Sequence, residues 1–111
     1  MGPWMVTSDE LPDPATLQLR TTVNGEVMQE SDTSLMIFDV PSMIEYVTAF
    51  MPLSPGDVIF TGTPAGPFGS RTPQRWLVPG DVVTVEISGI GQLENHVIDE
   101  GDLAASTAGR G

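Results

Sequence analysis

Leu17, Leu19, Thr21 and Val23 alternate with Gln18, Arg20 and Thr22, a period-two pattern that predicts a half-buried strand. Asn24-Gly25 follows, the favoured two-residue hairpin turn, so Glu26 to Glu30 is expected to return as its partner strand. Further on the period changes. Met43, Ile44, Val47, Phe50 and Met51 fall on one face of a helix running from Asp39 to Met51, with Pro41 in its first turn and Pro52 stopping it. That stripe is read as core. Val58-Ile59-Phe60 is a short apolar run suited to a buried strand, and Leu35 to Phe38 suits a short strand or a turn. Val82 to Ile87 is a strong strand, Gly89-Ile90-Gly91 a tight bend, and Gln92 to Asp99 a return strand. Pro55-Gly56-Asp57 and Pro79-Gly80-Asp81 are turns that each launch a strand, without forming a sequence repeat.

The ends are simpler. Met1 to Pro14 carries no full element: Thr7-Ser8-Asp9-Glu10 resembles a helix-capping sequence, and Leu11-Pro12-Asp13-Pro14 limits any helix there to one turn. Trp4, Met5 and Val6 need apolar partners from the outset. Gly101 to Gly111, rich in Ala, Ser, Thr and Gly, is expected to be a flexible tail behind one domain of residues 1–100. The pattern as a whole predicts a mainly β, mixed β/α chain with one short helix near residues 41–51.

Composition narrows the function classes. The chain has 111 residues and a net charge of −11, from fifteen acids against four basic residues, all of them arginine. Such a field repels nucleic acid and anionic membrane. No run approaches the length of a membrane span, and no secretory leader is read at the start, so the cytoplasm is the expected compartment. Cysteine is absent, which excludes disulfide and thiolate chemistry. The acids are spread along the chain rather than set at ligand spacing, so no metal ligand is assigned.

The chemistry that remains lies in Thr61, Gly62, Thr63 and Pro64. Two hydroxyls can donate to a carboxylate or carbonyl oxygen, and glycine lets a ligand approach the main chain. The plainer reading is a strand followed by a Gly/Pro-rich loop. Ser31-Asp32-Thr33-Ser34 is either a simple turn or a hydroxyl-bearing loop beside a site. Arg71 and Arg75 follow the threonine loop, a placement that suggests an anionic ligand, although two arginines flanking a proline are most often a solvated loop. His96 is read as structural.

Seven segments, in order, carry a resemblance. They are Gly2-Pro3-Trp4-Met5-Val6-Thr7, the Asn-Gly hairpin ending in Met28-Gln29, Thr33-Ser34-Leu35-Met36-Ile37-Phe38, Leu53 to Ile59, Thr61-Gly62-Thr63-Pro64-Ala65-Gly66, Val78 to Val83, and Ile87-Ser88-Gly89-Ile90-Gly91. Each is weak alone, but their order and spacing resemble the C-terminal part of the fumarylacetoacetate hydrolase (FAH) catalytic domain, over about residues 2 to 100.

The resemblance implies a mixed β roll or sandwich, incomplete in this chain. It implies a Mg2+ or Mn2+ enzyme that cleaves acylpyruvates, decarboxylates keto acids, or isomerises 2-hydroxydienoates, the metal stabilising an enolate. It gives Thr63 a contact with the substrate carboxylate, with Thr61, Gly62 and Pro64 shaping the loop. The family's Glu-x-Glu pair, later aspartate, lysine and histidine lie upstream of its Gly-Pro-Trp segment. None has a counterpart here, and Asp32 stands where relatives carry asparagine. The expectation is therefore a fragment or subunit that supplies the substrate-side loop, has no catalytic residue of its own, and joins a homo-oligomer or a complementing upstream half-domain. The alternative is a non-catalytic FAH-like β module that binds a partner.

Overall fold

A computed structural model of the chain describes residues 2–66 and 75–101. The fold is mainly β with one short helix. Four strands, β1 (Gln18–Val23), β2 (Glu26–Asp32), β3 (Val82–Ile87) and β4 (Gly91–His96), form an antiparallel sheet in the order β2-β1-β3-β4. The sheet does not close on itself.

The expected hairpin is present with the expected turn. Asn24 and Gly25 take φ values of 51° and 82°, the doubly left-handed geometry that matches strand twist. One feature was not legible: Thr21 pairs with Gln29 and Thr22 with Val27, so Met28 is an extra residue bulging from β2. Leu19 and Thr21 share a face with their partners Ser31 and Gln29 across β2, and with Ile87 and Val85 across β3.

Asn24 also joins this hairpin to the second one. Its backbone N–H donates to the Val82 carbonyl at 2.9 Å, and its side-chain oxygen accepts from the Val82 N–H at 2.9 Å. Its amide nitrogen donates to Asp81 Oδ1 at 2.7 Å. Asp81 is buried, and its Oδ2 accepts from the Val78 N–H at 3.0 Å. Arg75 lies 3.4 Å from Asp81 and 3.7 Å from Glu26. Val97 completes the junction, donating to the Asp81 carbonyl and accepting from the Gly80 N–H, both at 2.8 Å. The two Pro-Gly-Asp turns share one local device. Asp57 accepts from the Ser54 N–H at 2.7 Å, as Asp81 does from Val78.

The helix α1 spans Val40–Thr48, capped by Asp39, whose Oδ1 accepts from the Ser42 N–H at 2.8 Å. It is shorter than expected, because Ala49 ends it and leaves Phe50 and Met51 beyond its last turn. Its stripe is also not buried. Phe50 is 76% exposed, Met51 and Ile44 are exposed, and no helix residue is buried. Val58-Ile59-Phe60 likewise joins no strand, and Phe60 is 92% exposed. A strand needs a ladder partner, and the four-stranded order leaves none for this run. Leu35 to Phe38 is a 3-10 turn over Thr33–Leu35 followed by bends, and the return strand stops at His96 rather than Asp99. Trp4 does find its partner: its indole N–H donates to the Ile90 carbonyl, and its ring lies so close to Gly91 that a Cβ there would sit 2.8 Å from Cζ2.

Among the described residues the buried apolar side chains are Leu17, Val23 and Met28, all on the first hairpin or just before it. The core follows the hairpin. Leu35, Ile37, Phe38, Phe50 and Phe60 are instead exposed.

Two outcomes are expected. The Val78 N–H, the Asn24 amide and, more weakly, Arg75 hold the Asp81 carboxyl below the usual carboxylate range against the opposing effect of its burial. A depressed native pKa adds stability that is present above the unfolded pKa and lost as pH falls through the native one. Urea unfolding at about pH 7 and about pH 3 should therefore show Asp81→Asn destabilised at the higher pH, with a shallower acid loss than the wild type. Equal acid losses would remove Asp81 from the account. Secondly, Phe60→Ser should cut the fluorescence of a dye that reports apolar surface without lowering the melting temperature, because that ring is 92% exposed. Val23→Ala, at a fully buried site, should instead cost about 2 kcal/mol of stability.

Candidate functional site: a hydroxyl-lined groove

The Thr61-Gly62-Thr63-Pro64 loop does not float free of the sheet. Gln29, on β2, donates its side-chain nitrogen to Thr63 Oγ1 at 3.1 Å and to the Pro64 carbonyl at 2.9 Å. Two residues on, a Cβ on Gly66 would meet the Met28 carbonyl at 3.4 Å, so the chain runs close against the bulge. Gly62 has a φ of 104°, a left-handed conformation that a larger side chain would strain, and it is exposed. The loop is thus pinned at one end and bare at the other.

Thr61 to Ala65 form one wall of a groove of about 530 Å³. Ser31, Asp32 and Thr33 line the same groove, with Leu19 and with Met36 and the exposed Ile37 and Phe38. Of the two readings open for the Ser31–Ser34 segment, the structure supports the one that sets it beside the threonine loop. Its own geometry is fixed locally. Asp32 caps the 3-10 turn, accepting from both the N–H and the hydroxyl of Ser34, and Thr33 Oγ1 accepts from the Leu17 N–H at 2.9 Å. A larger hollow of about 880 Å³ lies beside α1, lined by Phe38, Ser42, Met43, Glu45, Tyr46 and Ala49. Its lining is mostly apolar, whereas the smaller groove brings the hydroxyls of Thr61, Thr63, Ser31 and Thr33 together.

Arg75 is not part of that groove; it pairs with Asp81 and Glu26 at the hairpin junction. Arg71 lies outside the described residues. His96 is exposed on the edge strand, 3.3 Å from Glu94. Among the described residues no three of His, Cys, Asp or Glu gather as a metal-ligand set, and the groove's carboxylate, Asp32, is already bonded to Ser34. The donors present therefore do not fit a divalent ion. Gln29 was missed as a site residue, although Met28-Gln29 stood among the recognised segments. A long amide beside a buried methionine was its only local signal.

The Fumarylacetoacetate (FAA) hydrolase C-terminal family model matches residues 1–98. The chain is 46% identical over 100 residues to the 4-hydroxyphenylacetate degradation bifunctional isomerase/decarboxylase of Salmonella dublin, covering 90% of this chain and 22% of that protein. It superposes with a TM-score of 0.86 on a fumarylacetoacetate hydrolase from Exiguobacterium antarcticum, at 45% identity, over 89% of this chain and 35% of that one. A TM-score of 0.77 and 37% identity relate it to maleylpyruvate hydrolase from Sphingobium sp. SYK-6, solved with manganese(II) and pyruvate, over 87% of this chain and 34% of that one. The chain spans about a third or less of the length of these relatives.

Proposed function

The chain belongs to the fumarylacetoacetate hydrolase family, and on that footing we propose that it supplies the substrate-carboxylate side of a site for 2-keto or 2-hydroxydienoate acids. What carries this reading is the meeting of two hydroxyl-bearing segments, Thr61–Pro64 and Ser31–Thr33, in one groove. The enzyme so formed is a hydrolase, decarboxylase or isomerase, the activities named for its relatives. A manganese-bound relative supports a divalent metal in the whole enzyme, Mg2+ or Mn2+, where it would act as a Lewis acid on the keto acid. This chain's groove does not offer that ion a ligand set, so the metal is held by residues elsewhere in the assembled site.

The chain's own residues bind and orient. Thr63 donates its hydroxyl proton to a substrate carboxylate oxygen. Gly62, exposed and left-handed, leaves the main chain open to the same group. Ser31 and Thr33 line the same groove, and Leu19 adds apolar lining for the carbon chain. The rim of Met36, Ile37 and Phe38 limits water once another surface covers it. That surface is either the upstream half of a family domain or a further copy of the chain.

The test is Thr63→Val in a complete domain that carries this chain as its C-terminal part. Valine keeps the shape and removes the donor, leaving a charged oxygen without its partner. A hydrogen bond to a charged group contributes about 1.5–3 kcal/mol, so kcat/KM should fall about ten- to hundredfold. A lower melting temperature with unchanged kcat/KM would sink the reading and leave Thr63 a structural residue. Alone, the 111-residue chain should show no turnover of acylpyruvates or oxaloacetate with Mg2+ or Mn2+, since its groove lacks a ligand set. Turnover abolished by EDTA would put the metal site inside this chain.

A further inference from the structure

The two bonds of Gln29 fix more than the place of the loop. We infer that Gln29 is the positioning residue of this site: it sets Thr63 as a hydrogen-bond donor toward the groove. The inference rests on the reading of Thr63 as the carboxylate contact. Pro64 has a carbonyl at 2.9 Å from Gln29, and a carbonyl can only accept. The group facing it must therefore be the amide NH2 and not the amide oxygen. That settles the orientation of the side chain without appeal to its surroundings. The same nitrogen is 3.1 Å from Thr63 Oγ1, and it has no lone pair to offer a hydroxyl. One of its hydrogens goes to Pro64, the other to Thr63. Thr63 is thus the acceptor in this bond, and its own proton must leave in another direction.

That direction is the groove. Among the described residues the Thr63 hydroxyl donates to no protein acceptor, and Thr63 is exposed on the groove wall. An unassisted threonine hydroxyl rotates between donating and accepting, and a ligand must order it at its own expense. Here the amide orders it beforehand. A carboxylate, which only accepts when ionised, meets a hydroxyl already committed to donate.

The bulge makes this reach available. Met28 is inserted between the Thr21–Gln29 and Thr22–Val27 pairs, and Met28 itself is buried. Gln29 therefore stands on the sheet face beside Thr21 while its neighbour turns into the core. Gly66 lies close enough to the Met28 carbonyl that the loop follows the bulge on its way out. A regular ladder at this point would move Gln29 relative to Thr63 and separate the amide from the loop.

The experiment uses the isotopically labelled 111-residue chain, with pyruvate as the probe, followed by NMR. In the wild type, pyruvate should shift the amides of Gly62 and Thr63, and the Gln29 side-chain amide protons should exchange slowly. Gln29→Met removes the donors at nearly constant length. It should weaken pyruvate about tenfold and speed amide exchange over residues 61–65, with the shifts of β1 and β3 unchanged. Gln29→Glu places an acceptor against the Pro64 carbonyl and draws the Thr63 proton away from the groove. Its pyruvate affinity should recover as pH falls from about 6 to about 4, as its carboxyl gains a proton able to donate, while Gln29→Met stays flat. Unaltered binding by both variants would overturn the role of Gln29 and leave the loop as the carboxylate contact. A wild type that shifts no loop amide with pyruvate would overturn the loop reading, and this inference with it. Loss of the β1 and β3 shifts in either variant would make Gln29 a residue of the fold and overturn the inference too.

Discussion

Among the described residues, Asp81 carries the one buried charge, and the sheet depends on how that charge is paired. The first hairpin and the second are separated in sequence by residues 33–81, and each alone would be a two-stranded ribbon of marginal stability. Joining them closes a long loop, whose entropy cost must be met by contacts at the seam. The seam has a backbone ladder between β1 and β3, and Asn24 extends it past Val23 with its side chain acting as a further peptide group. Asp81 anchors that amide and, through its carbonyl, the chain beyond β4. Remove the carboxylate and the Asn24 amide, the Val78 N–H and Arg75 lose a common acceptor at once.

The same hairpin therefore carries two side-chain amides with different duties. Asn24 ties hairpin to hairpin, and Gln29 ties sheet to loop. Asn24 uses both the donor and the acceptor of its planar amide, whereas Gln29 uses the two hydrogens of its amide nitrogen. The groove is lined on the hairpin by Leu19 and Ser31 to Thr33, at the end away from the Asn24 turn. Its geometry is an outcome of strand register before it is an outcome of loop sequence.

Much of this register was legible. Leu17 to Val23 has a clean alternation and Asn24-Gly25 a turn with a physical cause, so the hairpin follows from local rules. Val82 to Ile87 follows from β-branched residues behind a Pro-Gly-Asp turn. The bulge at Met28 could not be read, because an inserted residue leaves the apolar alternation nearly intact while shifting one bond pattern. Val58-Ile59-Phe60 misled for the opposite reason: its composition suits a strand, but a strand exists only against a partner. The helix stripe of Met43, Ile44, Val47 and Phe50 has the period of a core face, yet period says only that a face is apolar. What covers it is a tertiary fact, and within this chain nothing described buries it.

Aim and strength are separable at the groove. The aim of the Thr63 hydroxyl comes from Gln29, Pro64 and the close passage of Gly66 over Met28, all polar or steric contacts that do not require the apolar rim to be covered. The strength of any bond it makes to a carboxylate depends on how much water shares the groove, and Ile37, at 92% exposed, and Phe38 stand open on that rim. A surface laid over them would remove water from the groove and bury apolar area in the same step. Covering the rim would then strengthen a donor that already points the right way, without having to move it. The polar pins on the sheet hold with the apolar residues uncovered, so loop aim and water exclusion are set by different contacts.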